Sequence, residues 1–205
     1  MDPIEIYEDL KKKIIWLDVS PDSTLNQAEL AETYGVSRNP ITIALTRLDA
    51  EDWVIRHGSH FVVSPLTLVR MREITEIRSV LEMQANLWAM HRITKAGLDE
   101  LRALGNEIKK LSPRASKREM VRLDFGFHRI IYRETQNDQL AQMLERLLSH
   151  YLRFWLSGPQ EIKKESLFND TLEMIKAFEN KDELSLRAST TAHIKASLEK
   201  IMSIA

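Results

Sequence analysis

A chain of 205 residues, 43% hydrophobic and without cysteine, can build one large core or two small ones. It cannot build a disulfide framework, an iron–sulfur cluster or a thiolate zinc site. Its formal net charge of −1 neither supports nor excludes a nucleic-acid partner, no stretch reaches the roughly 18 uninterrupted apolar residues of a membrane span, and the first residues, acidic ahead of their lysines, do not read as a signal peptide. A cytoplasmic protein without a membrane partner is expected.

In chain order, residues 4–17 predict a helix with Ile4, Tyr7, Leu10, Ile14 and Leu17 near one face. After a polar connection containing Pro21, the stretch QAELAETYGVSRNPITIALT reads as two short helices joined by a tight turn. Asn26 is placed to cap the first, with Glu29 completing a capping box, and Leu30 and Ala31 face inward. Gly35 ends it, because glycine takes the left-handed conformation at little cost. Ser37 is expected to cap the second helix, and Pro40 falls in its first turn, where a missing N–H costs little. Ile41, Ala44, Leu45 and Leu48 repeat at i, i+3, i+4 and i+7 and must face a core. Arg38, Asn39, Thr42 and Thr46 then lie outward, as the short polar groups and single arginine of a major-groove reader do. The plain alternative is an ordinary helical hairpin with a solvated face.

Two β-type runs follow, Trp53–Arg56 and Phe61–Val63, around His57-Gly58-Ser59, a hairpin signal. A helix, a helix-turn-helix and a terminal hairpin make a winged helix, with the wing tip at His57 and Gly58 able to reach DNA. Charge complicates this. Residues 1–64 hold six Lys/Arg against eleven Asp/Glu, a local net charge of −5, whereas most DNA-binding domains are basic. The positive surface must be concentrated on Lys11, Lys12, Lys13, Arg38, Arg47 and Arg56, and weak non-specific DNA affinity is expected.

From Pro65 onward the pattern predicts helices over 66–92, 96–111, 115–135, 137–156, 160–180 and 182–203, an all-α antiparallel bundle. The fold class expected is therefore mostly α: a winged helix-turn-helix domain over 1–65 and a helical bundle over 66–205. Within the bundle Asp124 and His128 are spaced i, i+4 and share a helix face, and His193 lies on the last helix. A carboxylate with imidazoles suits Zn²⁺, Ni²⁺ or Mn²⁺, while a purely structural pair is the alternative. Arg78 is a candidate for binding a carboxylate in two-point fashion, the alternative being an intrahelical pair with Glu82 on a solvated face. Tyr132, Tyr151, Phe154 and Trp155 are read as core rather than pocket lining, and His91 and His150 as surface or helix-flank residues.

The stretch LAETYGVSRNPITIALTRLDAEDWV resembles the N-terminal domain of the GntR family of bacterial regulators, through Leu30, Ala31, Gly35, Val36, Ser37, Arg38, Pro40, Ala44, Leu45 and Leu48. The His57-Gly58 tip resembles that of the fatty-acid-responsive member of the FadR subfamily. ITEIRSVLEMQANLWA, LDFGFHRIIYRETQN and AFENKDELSLRASTTAHI resemble, in order, the motifs of the effector-binding FCD domain of that subfamily. The resemblance implies a base or phosphate contact by Arg38; with the outward Asn39, Thr42 and Thr46, the basic Arg47 and the wing-tip His57 and Gly58, this arginine completes the expected DNA-binding set. The resemblance also implies an effector site at Arg78, Asp124, His128, Thr171 and His193, with Asp124, His128 and His193 as metal ligands. Two departures stand out. Thr42 replaces a usual arginine, and Thr171 replaces the histidine that completes the family's metal set; the adjacent Asp170 points about 100° away around a helix. Asp22 also stands where a turn glycine is common.

Together these features predict a homodimeric, non-enzymatic regulator binding double-stranded operator DNA under control of a small organic acid. The rival from another class is a metal-dependent hydrolase or lyase with an appended winged helix, which lacks an evident general base, phosphate loop or nucleophile elbow. A ligand-free architectural dimer is the third reading.

Overall fold

The structure, a computed structural model, describes residues 1–158 and 164–202, the side chains at 166, 198 and 200–202 excepted. The chain divides into two compact units, Met1–Thr67 and the remainder from Leu68. The expected break at Pro159, the first residues of a helix begun at 160 and the end of one reaching 203 lie outside the described residues.

The first unit comprises α1 (Pro3–Ile15), β1 (Thr24–Leu25), α2 (Gln27–Tyr34), α3 (Arg38–Ala50), β2 (Val54–His57) and β3 (His60–Val63). Asp2 and Glu5 form a reciprocal capping box that starts α1. The buried face of α1 is Ile6, Tyr7, Leu10 and Ile14, while Ile4 is 61% exposed. The expected stripe was thus misplaced at both ends: Leu17 lies past the helix at φ 60, and the turn set by Tyr7 and Leu10 carries Ile6 inward instead. At α2, Asn26 caps as expected, but its side-chain amide, not its backbone, binds Glu29. Gly35 closes α2 at φ 64. Ser37 occupies the cap position of α3 without a side-chain cap bond. Ile41, Ala44, Leu45 and Leu48 are buried against α1, Trp53 and Phe61.

The wing is the larger part of a three-stranded antiparallel sheet of order β1-β3-β2, in which Thr24 pairs with Val62 and Ile55 with Val62 from the other side. The expected hairpin is β2–β3; two-residue β1 has no periodicity to reveal it. Asp22, at φ 63, takes the left-handed conformation that a glycine would take more cheaply.

A polar knot ties α1 to the end of α3. Glu51 accepts from Tyr7 Oη at 2.6 Å, from Lys11 Nζ at 2.9 Å and from Trp53 Nε1 at 3.1 Å. Burial raises the Glu51 carboxyl, but these donors and the Lys11 charge outweigh it and hold the group at about 2. The sign follows: a depressed carboxylate adds stability that is complete above its unfolded value near 4.5 and lost as pH falls toward 2. Glu51→Gln should therefore lower urea stability of this unit at neutral pH. The gap to wild type should close between pH 5 and pH 2; a gap independent of pH removes the charge from the explanation.

The second unit is helical: α4 (Leu68–Arg92), α5 (Lys95–Lys110), α6 (Lys117–Glu134), α7 (Asp138–Ser157), α8 (Lys164–Asn180) and α9 (Glu183–Met202). Amphipathic α5, α6 and α7 turn Leu101, Leu104, Ile108, Leu123, Phe127, Ile131, Leu144 and Leu148 inward. Long α4 packs on α6, α7 and α9, and α8 packs on α5 and α9. Glu134 of α6 covers the N-terminus of α5, accepting from the Thr94 backbone N–H at 2.7 Å and from its hydroxyl at 3.0 Å. Gly97 leaves room for that carboxylate, which a Cβ would meet at 2.3 Å. His150 is buried, contrary to the helix-flank expectation, together with Ser149 and Arg153. The packing of α4 and α6 on α7 places them there, against the usual exposure of such residues.

Candidate functional site

On the first unit, α3 presents an exposed strip. Arg38, Asn39, Thr42 and Thr46 are all exposed. Thr42 Oγ1 lies 2.9 Å from Gln27 Oε1 and 3.0 Å from the Arg38 carbonyl, and its single proton serves one of them at a time. Thr46 Oγ1 donates to the Thr42 carbonyl at 2.8 Å. Gln27 Nε2 in turn lies 3.4 Å from the Ser59 carbonyl, linking α2 to the wing. His57 and Gly58 are exposed at the wing tip, with Gly58 at φ 60 and its carbonyl accepting from Arg56 Nε. Arg47 is directed elsewhere: its guanidinium lies 3.9 Å from the Tyr7 ring centroid, with Nε 3.5 Å from Glu51. Ile43 was missed in the sequence; it lies beside this strip and is 50% exposed.

In the second unit, α4, α6, α7, α8 and α9 converge on a buried polar cluster. Arg78 on α4 donates to Glu82 Oε1 through Nε at 2.9 Å and Nη2 at 2.6 Å, and its guanidinium stacks 4.4 Å from the Tyr151 ring of α7. Tyr132 on α6 donates to the same Glu82 oxygen at 2.5 Å. Of the two readings of Arg78, the intrahelical pair is the one formed, but it is buried: both residues are 4% exposed. Burial acts to raise the Glu82 carboxyl, and the Arg78 charge, with smaller help from the neighbouring histidines and Tyr132, brings it down to about 2. Burial depresses His128 to about 4 despite Glu82 and Asp124, so its imidazole is neutral near pH 7. Burial pushes the Tyr132 hydroxyl well above its usual value.

His128 connects the two halves of the cluster. Nδ1 is 3.7 Å from Glu82 Oε1, Nε2 is 4.0 Å from Asp124 Oδ1, and its ring centroid is 5.4 Å from that of His193. Asp124 Oδ1, His128 Nε2 and Thr171 Oγ1 are buried without a hydrogen-bond partner. Native proteins seldom leave such atoms unsatisfied. Asp124 also walls a cavity of about 20 Å³, together with Tyr151, Trp155, Asp170, His193 and Ser197, among others. That is space for about one water molecule. Of the sequence-predicted residues, Asp124 and His193 wall the cavity, His128 lies against both, Arg78 is linked to them through Glu82 and Tyr151, and Thr171 is buried on α8 next to the lining residue Asp170; Tyr151 and Trp155, read as core, also wall the cavity.

The donor chemistry fits a resident metal poorly. Asp124 and His128 face each other, but position 171 offers a hydroxyl where the resemblance implies an imidazole. No three carboxylate or imidazole side chains among the described residues are grouped closely enough to hold an ion.

A winged helix followed by an all-α bundle defines a DNA-binding regulator as the class of protein. The FCD domain matches residues 73–196, and the model described as bacterial regulatory proteins, gntR family, matches residues 4–62. The chain belongs to the GntR family of DNA-binding transcriptional regulators, in its FCD-containing subfamily. It is 30% identical over 194 residues to the Nta operon transcriptional regulator of Aminobacter aminovorans, covering 90% of this chain and 87% of that one. It is 26% identical to the uncharacterized HTH-type transcriptional regulator YdhC of Bacillus subtilis, covering 97% and 90%. The fold matches that of Escherichia coli McbR/YncC with a TM-score of 0.84 at 21% identity, covering 98% and 97%. It also matches a GntR regulator of Rhodococcus with a TM-score of 0.81 at 15% identity, covering 98% and 97%. No helix among the described residues is long and apolar enough to cross a membrane.

Proposed function

We propose that this chain is a cytoplasmic, homodimeric, non-enzymatic regulator that releases or engages operator DNA when a small organic acid enters the α6–α8–α9 cavity. Arg38, Asn39, Thr42 and Thr46 of α3, with His57 and Gly58 of the wing, meet the DNA. Arg47 braces α3 against Tyr7 instead. The observation that carries the effector reading is the set of three buried, unpartnered polar atoms on Asp124, His128 and Thr171.

The cavity as it stands is far below the few hundred Å³ of an ordinary ligand pocket, so the effector binds an opened arrangement. Preference for that arrangement is what lets binding shift the regulator between states. Within it, the effector's hydroxyl or acid proton donates to Asp124, and its carboxylate accepts from Thr171 Oγ1 and His128, with the Arg78 charge lying behind Tyr151.

The test is a thermal-shift screen of small organic acids on the full chain, followed by operator-binding titrations with each hit. An acid that raises the melting temperature and changes operator affinity in wild type, but not in Asp124→Ala, supports the reading. Operator binding that no acid alters counts against it.

Position 171 separates ligand binding from structure. Thr171→Val keeps the shape and deletes a buried hydroxyl that has no partner, so stability should rise by about 1 kcal/mol while effector affinity falls. Thr171→His should instead increase divalent metal retained through purification, measured by elemental analysis. The same full complement of metal in wild type and Thr171→His would mean that another group already completes the ligand set, and no metal in either would make the pocket a metal-free one.

A further inference from the structure

We propose that Ile43 is a specificity-determining residue of the DNA-reading face, laying its side chain against the C5-methyl group of a thymine in the major groove. This rests on the assignment of α3 as the helix that enters that groove. On α3 the buried residues are Ile41, Ala44, Leu45 and Leu48. At 100° per residue, the direction opposite them falls closest to Asn39, with Thr46 and Ile43 each about 30° to either side, so Ile43 points outward next to Asn39. It is the one large hydrophobic side chain on α3 that is exposed, at 50%.

Its neighbours make that position more apolar than the sequence suggests. The Thr42 proton goes to Gln27 or to the Arg38 carbonyl, and the Thr46 proton to the Thr42 carbonyl. Neither hydroxyl therefore donates outward. Arg47, which shares this helix, is drawn away over Tyr7 toward Glu51. With those threonine protons turned inward and Asp49 accepting from the Arg56 backbone N–H, Ile43 is the carbon surface that this part of α3 offers a base edge. Of the four base-pair orientations in the major groove, only those with thymine expose a methyl group, so an apolar side chain at this point selects thymine. Asn39, one turn earlier, suits an adenine edge nearby. The face is therefore built for A·T pairs at its centre, with Arg38 at its N-terminal end.

The experiment uses the full-length protein. Wild type and Ile43→Ala are each used to select duplexes from a random library, and the wild-type consensus is then resynthesised with deoxyuridine replacing single thymines. Deoxyuridine lacks only the C5-methyl group. At one thymine in each half-site the replacement should weaken wild-type binding about fourfold, the worth of one buried methyl-sized group. It should leave Ile43→Ala unaffected, and the Ile43→Ala consensus should lose its preference at that position alone. Equal loss for both proteins at every thymine, or no loss for wild type at any, overturns the proposal while the DNA-binding assignment of α3 stands. Failure of wild type to select any sequence overturns that assignment as well. Because Ile43 is half exposed, Ile43→Ala should keep the wild-type melting temperature; a large drop would place the side chain in the core and also overturn the proposal.

Discussion

Glu82→Ala should destabilise the helical unit by about 3–5 kcal/mol, the cost of leaving a buried charge without its partner. Arg78 is 4% exposed and gives two hydrogen bonds to a single Glu82 oxygen, which also receives the Tyr132 hydroxyl. Deleting that carboxylate strands a guanidinium and a phenol together, between α4, α6 and the Tyr151 ring of α7. Glu82→Gln retains an acceptor and should cost less. The informative variant is the pair Arg78→Met, Glu82→Leu, which removes both charges and should recover most of the loss. Chemical denaturation followed by far-UV circular dichroism checks this, with the transition of the helical unit analysed separately from that of the winged helix. If the double variant is as unstable as Glu82→Ala, packing of the two side chains rather than their charges holds the helices. If neither loses stability, the pair has no structural weight and Arg78 is free to serve the effector alone.

The same pair shows where sequence reading stops. Its i, i+4 spacing on α4 is visible in the letters, and so is the choice between an ion pair and a ligand-binding arginine. Burial is not visible, because charged residues are exposed by default and this pair is covered by Tyr132, His128 and Tyr151 from two other helices. His150 and Arg153 were obscured in the same way by the packing of α7. In contrast, α3 was legible almost to the residue: Gly35 sets its left-handed entrance, Pro40 fits only a first turn, and the apolar repeat from Ile41 to Leu48 fixes its inner face. What that repeat could not show was the internal use of the threonine hydroxyls, or the turning of Arg47 onto Tyr7. The Thr42 contact depends on how α2 folds back on α3 to present Gln27, and the Arg47 contact on α1, which is distant in sequence. The i, i+4 spacing joined Asp124 to His128, but the addition of Thr171 and His193 came from resemblance and not from spacing, since α7 and α8 lie between α6 and α9. The shortfall at position 171 was nevertheless readable, because a single letter records it.

Arg38→Ala should lower specific operator affinity by about 1–3 kcal/mol for each protomer if the guanidinium reaches a base, and by a sequence-independent amount if it reaches a phosphate. The reason for a large effect is charge economy. The winged-helix unit is acidic, and its cations are mostly committed: Lys11 to Glu51, Lys13 to Asp9, and Arg47 to Glu51 and Tyr7. Arg38 is exposed at the start of α3 and has no acidic partner among the described residues. Ser37 gives no side-chain cap, so the first-turn N–H groups next to Arg38 in the chain add to its attraction for phosphate. In a homodimer the loss is counted at both half-sites, because the second binding event is effectively intramolecular. Titrations at several salt concentrations separate the two contacts. A phosphate contact predicts a shallower salt slope by about one unit per protomer, with the consensus unchanged. A base contact predicts relaxed specificity at one position. Thr42→Arg should act in the opposite sense, adding a cation one turn further along the face and steepening the slope, provided that it displaces the Gln27 bond. Unchanged affinity and specificity in Arg38→Ala, with a flat response in Thr42→Arg, would move the DNA-reading face off the N-terminal half of α3. The wing at His57 and Gly58 would then carry the contacts that α3 does not.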